Sequence, residues 1–488
     1  MNFTYRLNKA SFLAALIQRY SATLVVQLSA FVVGMVVSKL LGPEMLGYWG
    51  LFLIITKYYS YTNLGATNGL TRELGVAIGQ KNTDKMQRTI GSAHAIQWIL
   101  PVAVSVGLII YSFFADNELR WIFLFGSIIC FVQMYEVTLV RIINAHEKHK
   151  TIAKLSVIRA ILSFLIVIPL VYYFDLNGRI FAALLLALMV FIITWKYLPV
   201  KISFNLDKAN IKSLVSVGFP IAVVGFLGAN FFLVDRLVVT RFLSISDLGL
   251  YTFAFYLVTV IKNVKATIAT ILYQRQNIIF GEDGPLKKRR LLIVSKSAAF
   301  FTTDLTGIIS GFLLIVFSFA VIHFMPEYTK ALNLTYIIVF SQVLGSINVL
   351  NTVGRQVSNV KLLATGLLFN IILSITFVHI WGLTGVAYAT YISFVALNIL
   401  INLYNLSYFN LDRIKSFTIT FRIVGVSIYC FLIAKITEAS LFYFVSEIFA
   451  KDVFIMIALL MGYTLFMLPL FFLLKGHLKI LNKIKLSG

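Results

Sequence analysis

Carboxylates, cysteine and proline are all scarce in this 488-residue chain. Asp and Glu total 19 against 42 Lys and Arg, charged residues make up 12% of the whole, and there are 2 Cys and 8 Pro. Each shortage excludes something. Cys130 and Cys430 both sit inside apolar runs, so they offer neither a disulfide framework nor a CxxC metal pair. Six scattered His show no HExxH pattern. There is no DxD and no GxxxxGK[ST], and Asp116-x-Glu118 falls in a short turn. The gaps argue against a metal-dependent sugar-nucleotide enzyme and against an ATPase encoded in the same chain. No cofactor is implied.

What the chain has instead is apolar surface. It is 59% hydrophobic with a mean hydropathy of +0.90, whereas soluble domains are about 25% charged. Apolar runs of about 20 residues, enough to cross a bilayer, recur from end to end. The expected fold is therefore an all-α polytopic membrane protein. Spans are predicted at 12–38, 46–70, 89–115, 119–143, 152–174, 178–198, 211–240, 247–274, 291–323, 331–353, 361–380, 383–407, 417–446 and 452–474, fourteen in all. The first stretch, from Phe12 to Val37, exceeds a signal-peptide core of roughly 7–15 residues and reads as an uncleaved helix. No connection is long enough for a folded soluble domain.

A net charge of +23 would suggest nucleic acid in a soluble protein. In a membrane protein the positive-inside rule competes, and position decides. With the N-terminus inside, 29 Lys and Arg fall on the inner side, 7 on the outer side and 6 within spans. That bias supports an N-in, C-in topology and removes nucleic acid as a partner.

The chain also repeats itself. "VVSKLLGPEMLGYWGLFL" (36–53) aligns with "VVTRFLSISDLGLYTFAF" (238–255) at an offset of 202, with Gly47 on Gly249 and Lys39 on Arg241. "DLNGRIFAAL" (175–184) aligns with "GLTGVAYATY" (382–391) at an offset of 207, with Gly178 on Gly385. Six spans per repeat put both halves in one orientation, related by a pseudo-two-fold axis along the membrane normal, a transporter signature. The expected domains are a six-helix lobe over 1–205, a second over 206–410, and two further helices with a basic cytoplasmic tail over 411–488.

The stretch "SKLLGPEMLGYWGL", the segment "VDRLVVTRFLSISDLGLYTFA", the late helix "GLTGVAYATYISF" and the 6+6+2 plan together resemble one family over the whole chain. It is the polysaccharide-exporter branch of the multidrug/oligosaccharidyl-lipid/polysaccharide exporter superfamily, which includes bacterial O-antigen and repeat-unit flippases. The second copy has Ser244-Ile245 where the first has Gly42-Pro43. The resemblance implies two lobes around a central cavity and alternating access. It implies a substrate of undecaprenyl-diphosphate carrying a short oligosaccharide, flipped across the bacterial inner membrane for lipopolysaccharide synthesis. Membrane lipid, a polysaccharide polymerase and chain-length machinery are the partners it implies. The rival readings are a drug/cation antiporter of the same superfamily and a membrane-embedded glycosyltransferase or polymerase. The large periplasmic loop that polymerases and ligases generally need is not visible here.

Charges within spans point to the site. Each costs about 2.5–3.5 kcal/mol at bilayer centre on insertion scales, so it usually faces a bundle interior or wet cavity. The basic six are Arg19, Lys57, Arg159, Arg236, Lys262 and Lys265; the acidic three are Glu136, Asp235 and Asp304. A cationic cavity suits a diphosphate, which Arg can grip with two parallel hydrogen bonds. Arg19, Lys57, Arg236, Lys262 and Lys265 are the expected substrate contacts. Arg19 shares a helix face with Thr23 and Gln27, and Lys262 with Lys265. Asp235 and Arg236, as helix neighbours, point about 100° apart. Arg159, near a helix end, is expected to snorkel. Asp304 reads as a coupling carboxylate or as the partner of a Lys on the eighth span. Glu136 reads as structural, or as a partner for Arg19 or Lys57. Tyr58, Tyr59 and Tyr61 fit an interfacial belt or helix packing. None of these basic residues recurs at the repeat offset, since Lys57 meets Thr259 and Arg236 meets Gly34. The backbone plan is thus duplicated and the polar lining is not.

Overall fold

The structure, a computed structural model, describes residues 12–202, 204–281, 286–444 and 449–483; the side chains of residues 12–25, 117, 118, 149, 274, 356, 442, 449, 450, 482 and 483 lie outside that description. Among the described residues there are twelve α-helices and no strand: α1 (Phe12–Tyr59), α2 (Ala66–Gly79), α3 (Thr83–Ser112), α4 (Asn117–Ala145), α5 (His149–Lys196), α6 (Lys208–Phe242), α7 (Ile245–Gly281), α8 (Lys287–Phe324), α9 (Lys330–Val343), α10 (Gln356–Tyr408), α11 (Arg413–Phe444) and α12 (Phe449–Lys483). Ten of them are long and apolar enough to cross a membrane.

Three helices are too long for a single crossing. At 1.5 Å per residue, the 48 residues of α1 and α5 and the 53 of α10 extend about 72 Å or more. A hydrocarbon core is about 30 Å thick. Each is broken at one residue with positive φ: Gly42 (φ 70°, ψ 173°), Asp175 (φ 48°, ψ −129°) and Gly382 (φ 56°, ψ −136°). The breaks fall at or beside the predicted boundaries 38/46, 174/178 and 380/383.

Two predicted spans need correction. The span at 46–70 is interrupted: α1 ends at Tyr59 and α2 begins at Ala66. Between them the Asn63 side chain accepts the Gly65 N–H at 3.0 Å and Gly65 takes φ 80°, an Asn-driven turn that competes with the helix. The span at 331–353 is only half helical. Helix α9 stops at Val343, and residues 344–349 have no regular structure because neighbouring side chains bond their backbone, as described below.

The internal repeat is visible in local geometry. Asp175 and Gly382 are related by the offset of 207 and share nearly the same φ and ψ. Three residues on, a Cβ at Gly178 would collide with the Leu170 carbonyl, and one at Gly385 with the Phe377 carbonyl. Residues 170 and 377 are themselves 207 apart. The other block behaves alike. A Cβ at Gly47 would strike the Ile245 carbonyl, and one at Gly249 the Pro43 carbonyl. With 43 matched to 245 and 47 to 249, this is a reciprocal contact of the kind a two-fold axis generates. Small residues let membrane helices approach this closely. The two copies start their helices differently. Pro43 opens the second part of α1, where its fixed φ suits a first helical residue. Ser244 and Asp247 cap α7 reciprocally: Ser244 Oγ accepts from the Asp247 N–H at 3.1 Å, and the Asp247 carboxylate accepts from the Ser244 N–H at 3.1 Å.

The chain forms two compact units. One comprises Val25–Arg236 with Ser244–Thr252; the other comprises Leu237–Leu243 and Phe253–Gly488 with Met1–Leu24. In the first, Leu70 and Leu74 of α2 pack with Ile90 of α3, Ile142 of α4 and Leu214 of α6. In the second, α7 and α8 share one core through Ile268, Ile279, Leu291 and Ala298, joined by Leu481 of α12.

Candidate functional site

In the first unit polar contacts join the end of α1 to α6. Lys57 is exposed in the last turn of its helix, where a cation favours the helix dipole. Beside it Tyr58 Oη donates to Asn230 Oδ1 of α6 at 2.8 Å, and Tyr61 Oη donates to the Gly225 carbonyl at 3.4 Å. The Phe226 ring lies between the two tyrosines, 6.3 Å and 5.1 Å from their centroids. Tyr58 and Tyr61 therefore tie the end of α1 and the turn after it to α6, in keeping with the helix-packing alternative. Further along α6, Asp235 is fully buried and accepts from Tyr251 Oη at 2.8 Å, while Arg236 is half-buried.

Glu136 and Arg159 also belong to this unit, and they pair with each other. This corrects two expectations: Arg159 does not merely snorkel, and the partner of Glu136 is neither Arg19 nor Lys57. The Glu136 carboxylate is buried and so needs a cation close by. The side chain of Arg19 lies outside the described residues.

In the second unit the decisive feature is the unwound segment after α9. Unpaired backbone groups at membrane depth cost several kcal/mol each, so irregular backbone survives there only when protein satisfies it. Four donors and acceptors do so. Thr303 Oγ1 accepts the Gly345 N–H at 3.0 Å, Asn402 Oδ1 accepts the Ile347 N–H at 2.7 Å, and Asn405 Oδ1 accepts the Val349 N–H at 2.7 Å. Lys265 Nζ donates to the Leu344 carbonyl at 2.6 Å. Lys265 thus has a structural partner, and Lys262, one turn earlier, is exposed.

A second buried cluster joins α8 to the two last helices. Arg422 Nη2 of α11 lies 3.0 Å from Asp304 Oδ2 of α8 and 3.1 Å from His477 Nε2 of α12. The guanidinium stacks on the Phe300 ring, 3.9 Å from its centroid. Asp304 has zero exposure, and its partner is Arg422 rather than a Lys of α7, the eighth predicted span. Arg422 is the tenth residue of α11. Two further pairs are comparable: His323 with Asp452 at 3.0 Å and Lys435 with Glu438 at 2.6 Å.

Arg422, His477 and the asparagines escaped the sequence reading. Asn398, Asn402 and Asn405 recur at i, i+4, i+7 on one face of an otherwise apolar helix. That stripe was the available signal. Asn402→Leu is expected to leave the buried Ile347 N–H unpaired and to cost about 1–3 kcal/mol, read as a lower melting temperature of the purified protein. Asn405→Leu should do the same through Val349.

Residues 15–273 match the family of polysaccharide biosynthesis proteins, more than half of the chain. The chain belongs to that family. Solved structures of low sequence identity share its fold. One is the inward-facing conformation of a multidrug resistance MATE family transporter of the MOP superfamily, with a TM-score of 0.66 and 14% identity over 79% of this chain and 94% of that one. Another is the lipid II flippase MurJ in its inward closed conformation, with a TM-score of 0.64 and 16% identity over 92% of this chain and 98% of that one. A third is the outward-facing conformation of a MATE family transporter, with a TM-score of 0.55 and 16% identity over 83% and 97%. Among curated proteins none matches the sequence. This polysaccharide biosynthesis protein therefore has the fold of the exporter superfamily that its sequence resembles, and these structural neighbours are transporters and a flippase.

Proposed function

We propose that this protein flips undecaprenyl-diphosphate-linked oligosaccharide repeat units, such as those of O-antigen, across the bacterial inner membrane. In this reading it works by alternating access, with both termini in the cytoplasm and the lobes 1–205 and 206–410 enclosing a cationic cavity. The observation that carries the proposal is the balance of charge within the spans. The carboxylates Glu136, Asp235 and Asp304 are buried against Arg159, Tyr251 and Arg422. Lys57 and Lys262 are exposed, and Arg236 is half-buried. What remains accessible is therefore cationic, which suits a diphosphate leaving water and opposes a cationic drug. Family membership and the likeness to a lipid II flippase agree with this reading. The equal likeness to MATE transporters supports the antiporter as the rival.

In a strain deleted for the gene, undecaprenyl-linked repeat units are expected to accumulate inside the cell and to clear when the wild-type gene returns. Lys57→Gln and Arg236→Gln should each lower that clearance at least about tenfold, the loss of one charge-assisted contact worth about 1.5–3 kcal/mol. Full clearance by both variants, at equal protein levels, would sink the cationic site. Drug efflux without repeat-unit accumulation would favour the antiporter.

A further inference from the structure

The first unit carries an aromatic groove that the proposed function does not use. It runs between α3, α4 and the last part of α5, with a cavity of about 550 Å³, within the usual range of ligand sites, about 300–1,000 Å³. Trp98 and Trp195 form its half-exposed walls. Tyr135 is the buried floor, its ring 5.6 Å from Phe191 and 6.4 Å from Trp195. The Tyr135 hydroxyl is bonded to His94, so the floor's polar atoms are engaged within the protein. A polar ligand would find ring faces there and few hydrogen-bond partners. The lining residues lie on helices other than those carrying Lys57 and Arg236, so this is a separate surface of the same unit.

One end of the groove is charged. Lys196, the last residue of α5, lines it and is exposed. Beyond it Lys154 donates to Tyr197 Oη at 2.8 Å and sits 5.2 Å from the Tyr197 ring. Lys148 and Lys150 begin α5 at this same end, where α5 has returned after its break. Tryptophan beside lysine at the end of a span is the pattern of a membrane–water interface. An apolar channel at membrane depth that closes on a cation at the interface complements a lipid: its chain against the rings, its anionic headgroup on the lysine.

We propose that this groove binds a phospholipid of the surrounding membrane, selected for a negatively charged headgroup by Lys196. The test uses the full-length protein in detergent, titrated with phosphatidylglycerol or phosphatidylcholine and read by native mass spectrometry. Wild type should bind phosphatidylglycerol about fivefold more tightly, the factor that corresponds to about 1 kcal/mol per Lys at an anionic lipid surface. Lys196→Gln should bring the two lipids level. Val132→Trp, which fills the groove, should weaken both. Lys208→Gln, at the start of α6 and outside the lining, should leave the preference intact. Equal binding of the two lipids by wild type would overturn the proposal. So would a preference that survives Lys196→Gln, or one that Lys208→Gln removes equally. Because the readout is lipid binding, failure here leaves the flippase reading untouched, and failure of repeat-unit clearance leaves this one untouched.

Discussion

Arg422→Leu is expected to destabilise the folded protein by about 3–5 kcal/mol, the cost of stranding a buried charge after its partner is removed. The Asp304 carboxylate has zero exposure, and Arg422 provides its nearest cation, at 3.0 Å. The His477 imidazole ring lies 3.6 Å from the same carboxylate oxygen. Removing Arg422 also uncovers the face of Phe300, on which the guanidinium stacks. Asp304→Asn in the Arg422→Leu background should recover much of the loss, since it removes the stranded charge instead of restoring a partner. Detergent-solubilised protein, followed by size-exclusion chromatography after heating, reads both effects. If Arg422→Leu melts with wild type, the cluster is not what docks α11 and α12 onto α8. If Asp304→Asn fails to rescue, the cost lies in lost packing on Phe300 and not in charge.

That cluster shows where the sequence was silent. Hydropathy located the ten helices that are long and apolar enough to cross a bilayer, because the bilayer imposes a length and an apolar composition that a single chain must display. It even placed the three one-residue breaks, which coincide with short polar or Gly-containing interruptions at Gly42, Asp175 and Gly382. It failed at 60–65 and 344–349. The first end is a local turn, made by the Asn63 side chain and Gly65. The second is set by partners distant in sequence: Asn402 and Asn405 hold residues 347 and 349 from more than fifty positions away. No local propensity encodes that. Pairing was illegible for the same reason. The sequence named Glu136, Asp235 and Asp304 as the costly carboxylates, and each proved buried. It did not name Arg159, Tyr251 or Arg422 as their partners, because a helix face tells which way a charge points and not which helix will meet it. Lys265 is the clearest case. Its spacing with Lys262 suggested a shared anion, whereas its ammonium bonds the Leu344 carbonyl of an unwound helix.

Gly249→Val is expected to cost about 3 kcal/mol, the upper end of the overpacking range, because the obstacle is the Pro43 carbonyl of α1 and not a side chain that could turn away. Gly47→Val meets the Ile245 carbonyl in the mirrored position. The reciprocity makes a sharper prediction than either variant alone. The two substitutions should cost similar amounts, since each drives the same pair of helices apart. The double variant should cost clearly less than the sum, since one spreading of the helices makes room for both side chains, and contacting sites are not additive. Gly425→Ala, where an added Cβ would meet nothing within 4 Å, should be neutral or stabilising by up to about 1 kcal/mol from helix propensity. Melting temperatures of the purified variants decide the matter. Unequal single costs, or strict additivity in the double, would mean that the glycines sit in independent environments and that the repeat seen between residues 36–53 and 238–255 has no two-fold contact behind it. Repeat-unit clearance by the same variants then separates stability from movement. A variant that folds at reduced temperature yet clears nothing would place this glycine crossing among the surfaces that must slide during transport.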